Sequence, residues 1–154
     1  MVALQETFAI EDHFLEMMSS KGFALVNKKE NAGRRGGVAL FANTNTVLAA
    51  PVALPSLGRF EAVAAHFTSA SPDGSITTVA SVYWSPSPVT EDDPPDLEAR
   101  EILETLDTLG VNVVVGDPNA RHSLWCPGTS TIPSPALGRG ISLAAFLRFS
   151  RLHA

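Results

Sequence analysis

The sequence lacks most of the features that mark disulfide-stabilised, secreted or membrane-spanning proteins. It contains one cysteine, Cys126, so an internal disulfide framework is excluded and no Cys-x-x-Cys pair is available for zinc. No basic segment followed by an apolar run begins the chain, which argues against a secretory signal. The longest apolar stretch, Val47 to Leu57, is broken by Pro51 and Pro55 and is too short to cross a bilayer. We therefore expect an intracellular protein with no membrane partner.

An excess of basic charge is also absent. The chain has 11 Lys and Arg against 16 Asp and Glu, a formal net charge of -5. Such a chain repels the backbone of a nucleic acid as a whole, so binding of DNA or RNA would depend on local chemistry. A length of 154 residues with 45% hydrophobic residues is typical of one globular domain.

The hydrophobic periodicity predicts a mixture of strands and helices, and therefore an α/β or α+β class built as a layered sandwich. Two hairpins are expected, one of Val38 to Phe41 with Thr46 to Ala49, and one of residues 59–67 with 75–84. The other predicted elements are strands at Val2 to Leu4, Phe23 to Val26 and Val113 to Val115, and helices at Glu11 to Ser20 and Asp96 to Leu109 and around Leu143 to Leu147.

The second helix shows the clearest apolar stripe. Asp96 is the predicted N-cap and Gly110 the predicted stop signal. Five apolar residues are expected to face the core, namely Leu97, Ile102, Leu103, Leu106 and Leu109.

Four polar residues fall at predicted strand ends, namely Glu6, Tyr83, Asp117 and Asn119. Carboxylates delivered from neighbouring strand ends suit a hard cation such as Mg²⁺, which takes oxygen ligands and keeps several waters. A carboxylate that orients water beside that cation would favour phosphodiester cleavage. A nearby phenol would donate a hydrogen bond to the phosphoryl oxygen as its charge develops.

Each of these residues also has an ordinary structural interpretation. A glutamate at a strand end is usually solvated or caps the next helix, and a tyrosine such as Tyr83 usually lies at a rim with its hydroxyl in water. The residues of Gly116 to Asn119 are those that make turns. The four residues favour a site only as a set.

Five segments resemble the endonuclease/exonuclease/phosphatase superfamily in their order and approximate spacing. Within that superfamily, Asn119, Ala120, His122 and Trp125 resemble the pattern of the endonuclease domain of non-LTR retrotransposons, and the segment from Gly138 continues the likeness. The five segments are LQET from Leu4, RRGGVALF from Arg34, FEAVAAHF from Phe60, VASVYWSP from Val79 and VVVGDPNARHSLWC from Val113.

The resemblance implies a four-layer α/β sandwich of mixed sheets flanked by helices, and an enzyme that nicks DNA with Mg²⁺ or Mn²⁺. It implies that Glu6 binds the metal, that Asp117 acts on the attacking water, and that Asn119 holds the phosphate or that aspartate. Tyr83 matches the tyrosine on the phosphate side. The implied candidates for DNA contact are His122 and Trp125. Arg34 and Arg35 are further candidates independently of the resemblance, because basic residues in a glycine-rich loop can contact phosphates, although an ordinary solvated turn explains them equally well.

Two departures from the family pattern concern the ends of the chain. Family members have an upstream strand with an asparagine and a downstream half with a further aspartate and a Ser-Asp-His motif, and neither is found in residues 1–154. The resemblance therefore implies a partial domain that lacks the second half of the sandwich. We expect such a chain to be marginally stable and weakly active or inactive on its own.

Three hypotheses follow. The first is a retroelement-type DNA endonuclease in the nucleus, working with a reverse transcriptase or the remaining half-domain of a longer polyprotein. The second is another phosphoesterase of the superfamily, such as a phosphatase or an RNA exonuclease. The third is a protein without catalysis, either a decayed remnant or a folded piece that only binds a partner, and the missing family motifs at both ends favour it. The pattern from Asn119 to Trp125 favours the first.

Overall fold

The computed structural model describes residues 1–7, 9–30, 36–55, 60–69, 74–84, 95–117 and 119, with the backbone alone for 95–100. This part of the chain is mixed α/β and mostly β, with two sheets and two helices. In chain order its elements are β1 (Val2–Gln5), α1 (Asp12–Ser20), β2 (Phe23–Lys29), β3 (Val38–Asn43), β4 (Val47–Val52), β5 (Phe60–Ser69), β6 (Ile76–Trp84), α2 (Pro95–Thr108) and β7 (Val113–Asp117).

The first sheet has three strands in the order β1-β3-β2, and both pairs are antiparallel. The second sheet has four strands in the order β4-β5-β6-β7. Its β6–β7 pair is parallel and the other two pairs are antiparallel. A parallel pair needs a crossover, and α2 lies in the connection from β6 to β7.

Three apolar clusters hold these elements together. Strands β1 to β3 pack against α1 around Met18, Ala39 and Phe41. In this cluster the Phe14 and Phe41 rings meet edge to face, with their centroids 5.9 Å apart. Because side chains alternate along a strand, the opposite face of β3 carries Val38, Leu40 and Ala42. These pack against the second sheet, and that central cluster also includes Val63, Ala65, Phe67, Val79 and Tyr83.

The other face of the second sheet packs against α2. Ile102, Leu103 and Leu106 of the helix are buried, and Ile102 and Leu106 join a cluster with Phe60, Ala62, Ala64, Ala80, Val82 and Trp84. Strand β7 lies at the sheet edge and is half-buried. Its valines contact both faces, Val114 on the helix side and Val113 and Val115 on the other.

The β5–β6 hairpin is confirmed, but the hairpin predicted from Val38 to Phe41 and Thr46 to Ala49 is wrong. The turn exists, since the Asn45 N–H donates to Asn43 Oδ1 at 3.0 Å. However, β3 already has β1 on one edge and β2 on the other, which leaves no edge for β4. Strand β4 pairs instead with β5 in the other sheet.

Helix α2 differs from its prediction at both ends. It begins at Pro95, one residue before the expected cap Asp96. Leu109 was expected to face the core but is 38% exposed, because the helix ends at Thr108 and the chain turns away at Gly110 (φ 70°). The side chain of Leu97 and the helix predicted around Leu143 to Leu147 lie outside the described residues.

A side-chain hydrogen bond between Gln5 and Ser81 joins the two sheets inside the central layer. The Gln5 amide donates a hydrogen bond to Ser81 Oγ at 3.0 Å, and Ser81 is fully buried. We expect Ser81→Ala to lower the free energy of unfolding by about 1–2 kcal/mol, because the half-buried amide of Gln5 loses its acceptor. Urea unfolding measures this. The control Ser20→Ala removes an exposed hydroxyl bonded to Met17 O and should change stability by less than about 0.5 kcal/mol; equal effects of the two changes would contradict the prediction.

Among the described helices, none is both long enough and apolar enough to cross a membrane.

Candidate functional site

Four predicted site residues lie together at one end of the two sheets. Tyr83, near the end of β6, is in register with Asp117 at the end of β7. Paired residues project from the same face of a sheet, and Tyr83 belongs to the cluster between the sheets. Glu6 directly follows β1 of the other sheet. The site is therefore assembled from strand ends of both sheets.

The closest contact in the site joins Glu6 and Tyr83. The Tyr83 hydroxyl donates a hydrogen bond to Glu6 Oε1 at 2.5 Å, across 77 positions of sequence. Glu6 has a positive φ of 52°, a conformation that non-glycine residues adopt only where the surroundings hold it. The bend at Glu6 thus brings its carboxylate to a strand end of the opposite sheet.

Tyr83 is held as a neutral phenol. Only 1% of the residue is exposed, and its pKa is raised from 10.0 to about 12. Burial is the largest cause, followed by the hydrogen bond to Glu6 and then by the negative charges of Glu6, Asp117 and Glu61. A phenol with this pKa keeps its proton at neutral pH, so it can donate a hydrogen bond but does not act as a base or nucleophile.

Asp117 and Asn119 form a turn that fixes both side chains. The backbone N–H of Asn119 donates to Asp117 Oδ1 at 2.8 Å. The Asn119 amide donates to the carbonyl oxygen of Trp84 at 2.7 Å, and Asn119 has a positive φ of 46°. Asn119 therefore ties the end of β7 to the end of β6, beside Tyr83.

Glu61 is a site residue that the sequence analysis did not assign. It lies in β5, in register with Tyr83, and is only 6% exposed. Its carboxylate accepts the N–H of Gly37, and the Gly37 carbonyl in turn accepts the N–H of Thr7 at 3.3 Å. An acid between Phe60 and Ala62 in an apolar strand is the signal that could have identified it.

The close fit of Glu61 also explains a glycine. Gly36 has a φ of 108°, and a Cβ at this position would overlap the Glu61 carboxylate, with Cδ at 2.8 Å. The glycines before β3 thus let the backbone approach a buried acid. Through Gly37 and Thr7, that acid supports the segment that carries Glu6.

The oxygen ligands in the site fit a hydrated Mg²⁺ better than a fully protein-coordinated ion. Among the described residues, no group of three His, Cys, Asp or Glu side chains is arranged to hold a metal. Mg²⁺ in proteins is commonly held by one or two carboxylates together with water and substrate phosphate. Glu6 Oε2 and Asp117 Oδ2 form no hydrogen bond with a described residue. The exposed Glu6 carboxylate would hold it, and the exposed Asp117 Oδ2 would be available to accept a hydrogen bond from one of its waters.

The remaining predicted contacts with DNA, Arg34, Arg35, His122 and Trp125, lie outside the described residues. Of the predicted set, the structure brings together Glu6, Tyr83, Asp117 and Asn119. A comparison of the chain with protein-family models, with curated proteins and with solved structures finds no match.

Proposed function

We propose that the chain is a divalent-metal-dependent phosphodiesterase domain of the DNA-nicking type. The observation that carries the proposal is the hydrogen bond from Tyr83 to Glu6, beside an aspartate and an asparagine held on the next strand. This set joins a carboxylate that can bind a metal, a neutral phenol and a second carboxylate at one end of the two sheets. Metal-assisted cleavage of a phosphodiester uses groups of these kinds.

The arrangement of the clusters supports a four-layer α/β sandwich as the finer description of the fold. The order α1, first sheet, second sheet, α2 follows from the three clusters. The site then lies where strand ends of both central sheets meet, which is a common position for ligand sites in layered α/β proteins.

Each residue has a defined task in the proposed reaction. Mg²⁺ would supply a Lewis acid that stabilises the charge developing on phosphate. Glu6 would hold the cation, and Asn119 fixes the Asp117 carboxylate through its backbone N–H. Asp117 orients the attacking water and accepts its proton as the water oxygen bonds to phosphorus. The bond from phosphorus to the 3′ oxygen then breaks, and that oxygen takes a proton from water to leave as a 3′-hydroxyl. Tyr83, released from Glu6 by substrate, donates its hydrogen bond to a phosphoryl oxygen.

DNA is the substrate that we favour. The support is the sequence pattern Asn119, Ala120, His122 and Trp125, which resembles retroelement endonucleases. The same resemblance favours a nuclear location, and as partner a reverse transcriptase or the remaining half of the domain.

The test is plasmid nicking. Full-length protein is incubated with supercoiled DNA and Mg²⁺, with Mn²⁺ and with EDTA, beside the variants Glu6→Gln and Asp117→Asn. Each variant should lower the nicking rate at least about tenfold, because each removes a charge that has no replacement in the site. The control is Glu16→Gln, which neutralises an exposed acid on α1.

The outcomes separate the candidate functions. Nicking that persists in both variants contradicts the site assignment. The protein could instead cleave a phosphate monoester or RNA and leave plasmid DNA intact. If the two variants lose that activity, the result favours another phosphoesterase of this type. A folded parent that is inactive on all three substrates favours a remnant without catalysis.

A further inference from the structure

A cavity lies on the other side of β5 from Tyr83. Here the ends of β2, β4 and β5 surround an open cavity of about 400 Å³. That volume falls within the range of small-molecule and cofactor sites. Its wall has a polar side, formed by Asn27, Lys28 and Lys29, and an apolar side formed mainly by Val52, Leu54 and Pro55.

Lys29 provides the cavity with a positive charge. Lys29 pairs with Val38, a member of the cluster between the sheets, so its side chain starts from the inner face. Lys29 is half-buried and forms no ion pair with a carboxylate in the described part of the chain, whereas Lys28 pairs with Glu30 at 2.5 Å. An ammonium group in this position is available to bind the oxygens of an anionic ligand.

The edge of β5 supplies backbone donors to the same space. Strand β4 ends at Val52, opposite Ala64, while β5 extends back to Phe60. From Phe60 to Val63, no described strand lies on the β4 side. Backbone groups alternate in direction along a strand, so alternate N–H groups of this stretch point to the unpaired edge. Ala62 and Val63 of the stretch belong to the lining of the cavity. Such N–H groups are suitable donors for phosphate oxygens.

The apolar side of the cavity favours a ligand that carries an apolar part in addition to its anion. Leu54 is half-buried and packs at the edge of the α2 cluster, with Pro55 next to it. A ligand that places an anion at Lys29 therefore places its remaining atoms against an aliphatic wall. A nucleotide has both parts, a phosphate for Lys29 and a base or sugar for the wall.

The same residues of β3 and β5 lie between the cavity and the proposed catalytic site. Gly37, whose N–H binds Glu61, directly precedes Val38, the partner of Lys29. Glu61 in turn neighbours Ala62 of the cavity and pairs with Tyr83. With neighbouring strands about 4.8 Å apart, β5 and β7 are separated by roughly 10 Å. One polynucleotide strand can therefore reach both places.

We infer that this cavity binds a nucleotide unit of the nucleic-acid substrate, adjacent to the phosphodiester that is cleaved. The placement relative to the cleaved bond rests on the proposed function, whereas nucleotide binding by the cavity does not. Lys29 binds the phosphate, and Leu54 and Pro55 contact the base or sugar. The site also provides the local positive charge that a chain of net charge -5 needs in order to hold a polyanion.

The experiment measures binding without metal. Thymidine 5′-monophosphate, inorganic phosphate and thymidine are titrated separately into the full chain in EDTA, with chemical shifts and calorimetry as readouts. Lys29→Gln should weaken binding of the nucleotide at least about tenfold, which corresponds to the loss of a charge-assisted hydrogen bond. The control Lys21→Gln neutralises an exposed lysine that precedes the opposite end of β2 and should leave binding unchanged. Leu54→Ala should weaken the binding of the nucleotide more than the binding of inorganic phosphate.

The proposed site is supported if the parent binds the nucleotide, Lys29→Gln weakens that binding and Lys21→Gln does not. This conclusion holds whether or not the plasmid is nicked. No binding at millimolar nucleotide overturns it even if nicking is observed, and so does equal affinity of Lys29→Gln and the parent. Inorganic phosphate that binds as tightly as the nucleotide overturns the nucleotide assignment. If nicking occurs, Lys29→Gln should raise KM for a short DNA with little change in kcat.

Discussion

Gly116→Ala is expected to lower the free energy of unfolding by at least about 4 kcal/mol, a loss reserved for severe backbone or core disruption. Gly116 pairs with Val82 in the parallel β6–β7 ladder and has a φ of 137°, a conformation that L side chains rarely adopt. A Cβ there would overlap the carbonyl oxygen of Val82 and approach its backbone N and C to 2.9 Å. Since the obstacle is backbone, relief requires β6 and β7 to separate.

The consequence reaches the site, because Asp117 is the next residue and pairs with Tyr83. Urea unfolding gives the loss of stability, and the titration of Tyr83 described below reports the displaced carboxylate. Gly74→Ala is the matched control. Gly74 also has a positive φ, 54°, but no atom lies within 4 Å of its Cβ position, so it should cost only about 1–2 kcal/mol. Equal losses for the two variants would show that the contact with Val82 is unimportant.

The positions of the strands and helices were largely predictable from the sequence. Which strands pair with each other was less predictable. The β5–β6 hairpin was identifiable because two long β-patterned runs are joined by a short turn sequence. The segment from Val38 to Val52 offered the same signals, a turn at Asn43 between two apolar runs, yet its strands enter different sheets. A turn fixes the local reversal of the chain, whereas pairing depends on which edges remain open. Here β2, earlier in sequence, occupies the edge of β3.

The site was partly predictable for a similar reason. Polar residues at strand ends indicated Glu6, Tyr83 and Asp117, because strand ends place side chains at a sheet edge. The sequence does not show that Glu6 bends back through a positive φ to meet Tyr83. It also gives no sign that Glu61 is buried against the backbone of Gly37, because that contact depends on how the two sheets face each other.

The charges around Tyr83 give the site its most distinctive measurable property. Three carboxylates, Glu6, Glu61 and Asp117, oppose the formation of a tyrosinate, in addition to the effect of burial. The same negative potential favours a bound cation, since an opposite charge relieves the repulsion among the acids. The ionisation of Tyr83 therefore reports both the folded geometry of the site and its occupancy by a cation.

Ionisation of Tyr83 in the folded protein should have its midpoint at a pH of about 12, against 10.0 for an ordinary tyrosine. Tyr83 is the one tyrosine of the chain, so the ultraviolet absorbance of tyrosinate reports this group alone. Because the folded pKa is raised, the neutral phenol contributes stability that is fully present below pH 10.0 and is lost as the pH rises toward about 12. A pH-jump measurement, read before the protein unfolds, separates ionisation from denaturation.

Glu6→Gln should move that midpoint down toward the ordinary value, because it removes a negative charge and the charged acceptor of the 2.5 Å hydrogen bond. Glu16→Gln on α1 should leave it in place, since Glu16 is exposed and does not contribute to the shift at Tyr83. Saturating Ca²⁺, an oxygen-binding cation that stays dissolved at this pH whereas Mg²⁺ precipitates as its hydroxide, should lower the midpoint in the parent and much less in Glu6→Gln, because the cation offsets the negative charge only where it is bound. A folded parent that titrates at the pH of free tyrosine would show that the contact between Glu6 and Tyr83 is absent. A midpoint insensitive to Ca²⁺ would leave that contact intact and contradict the metal site alone.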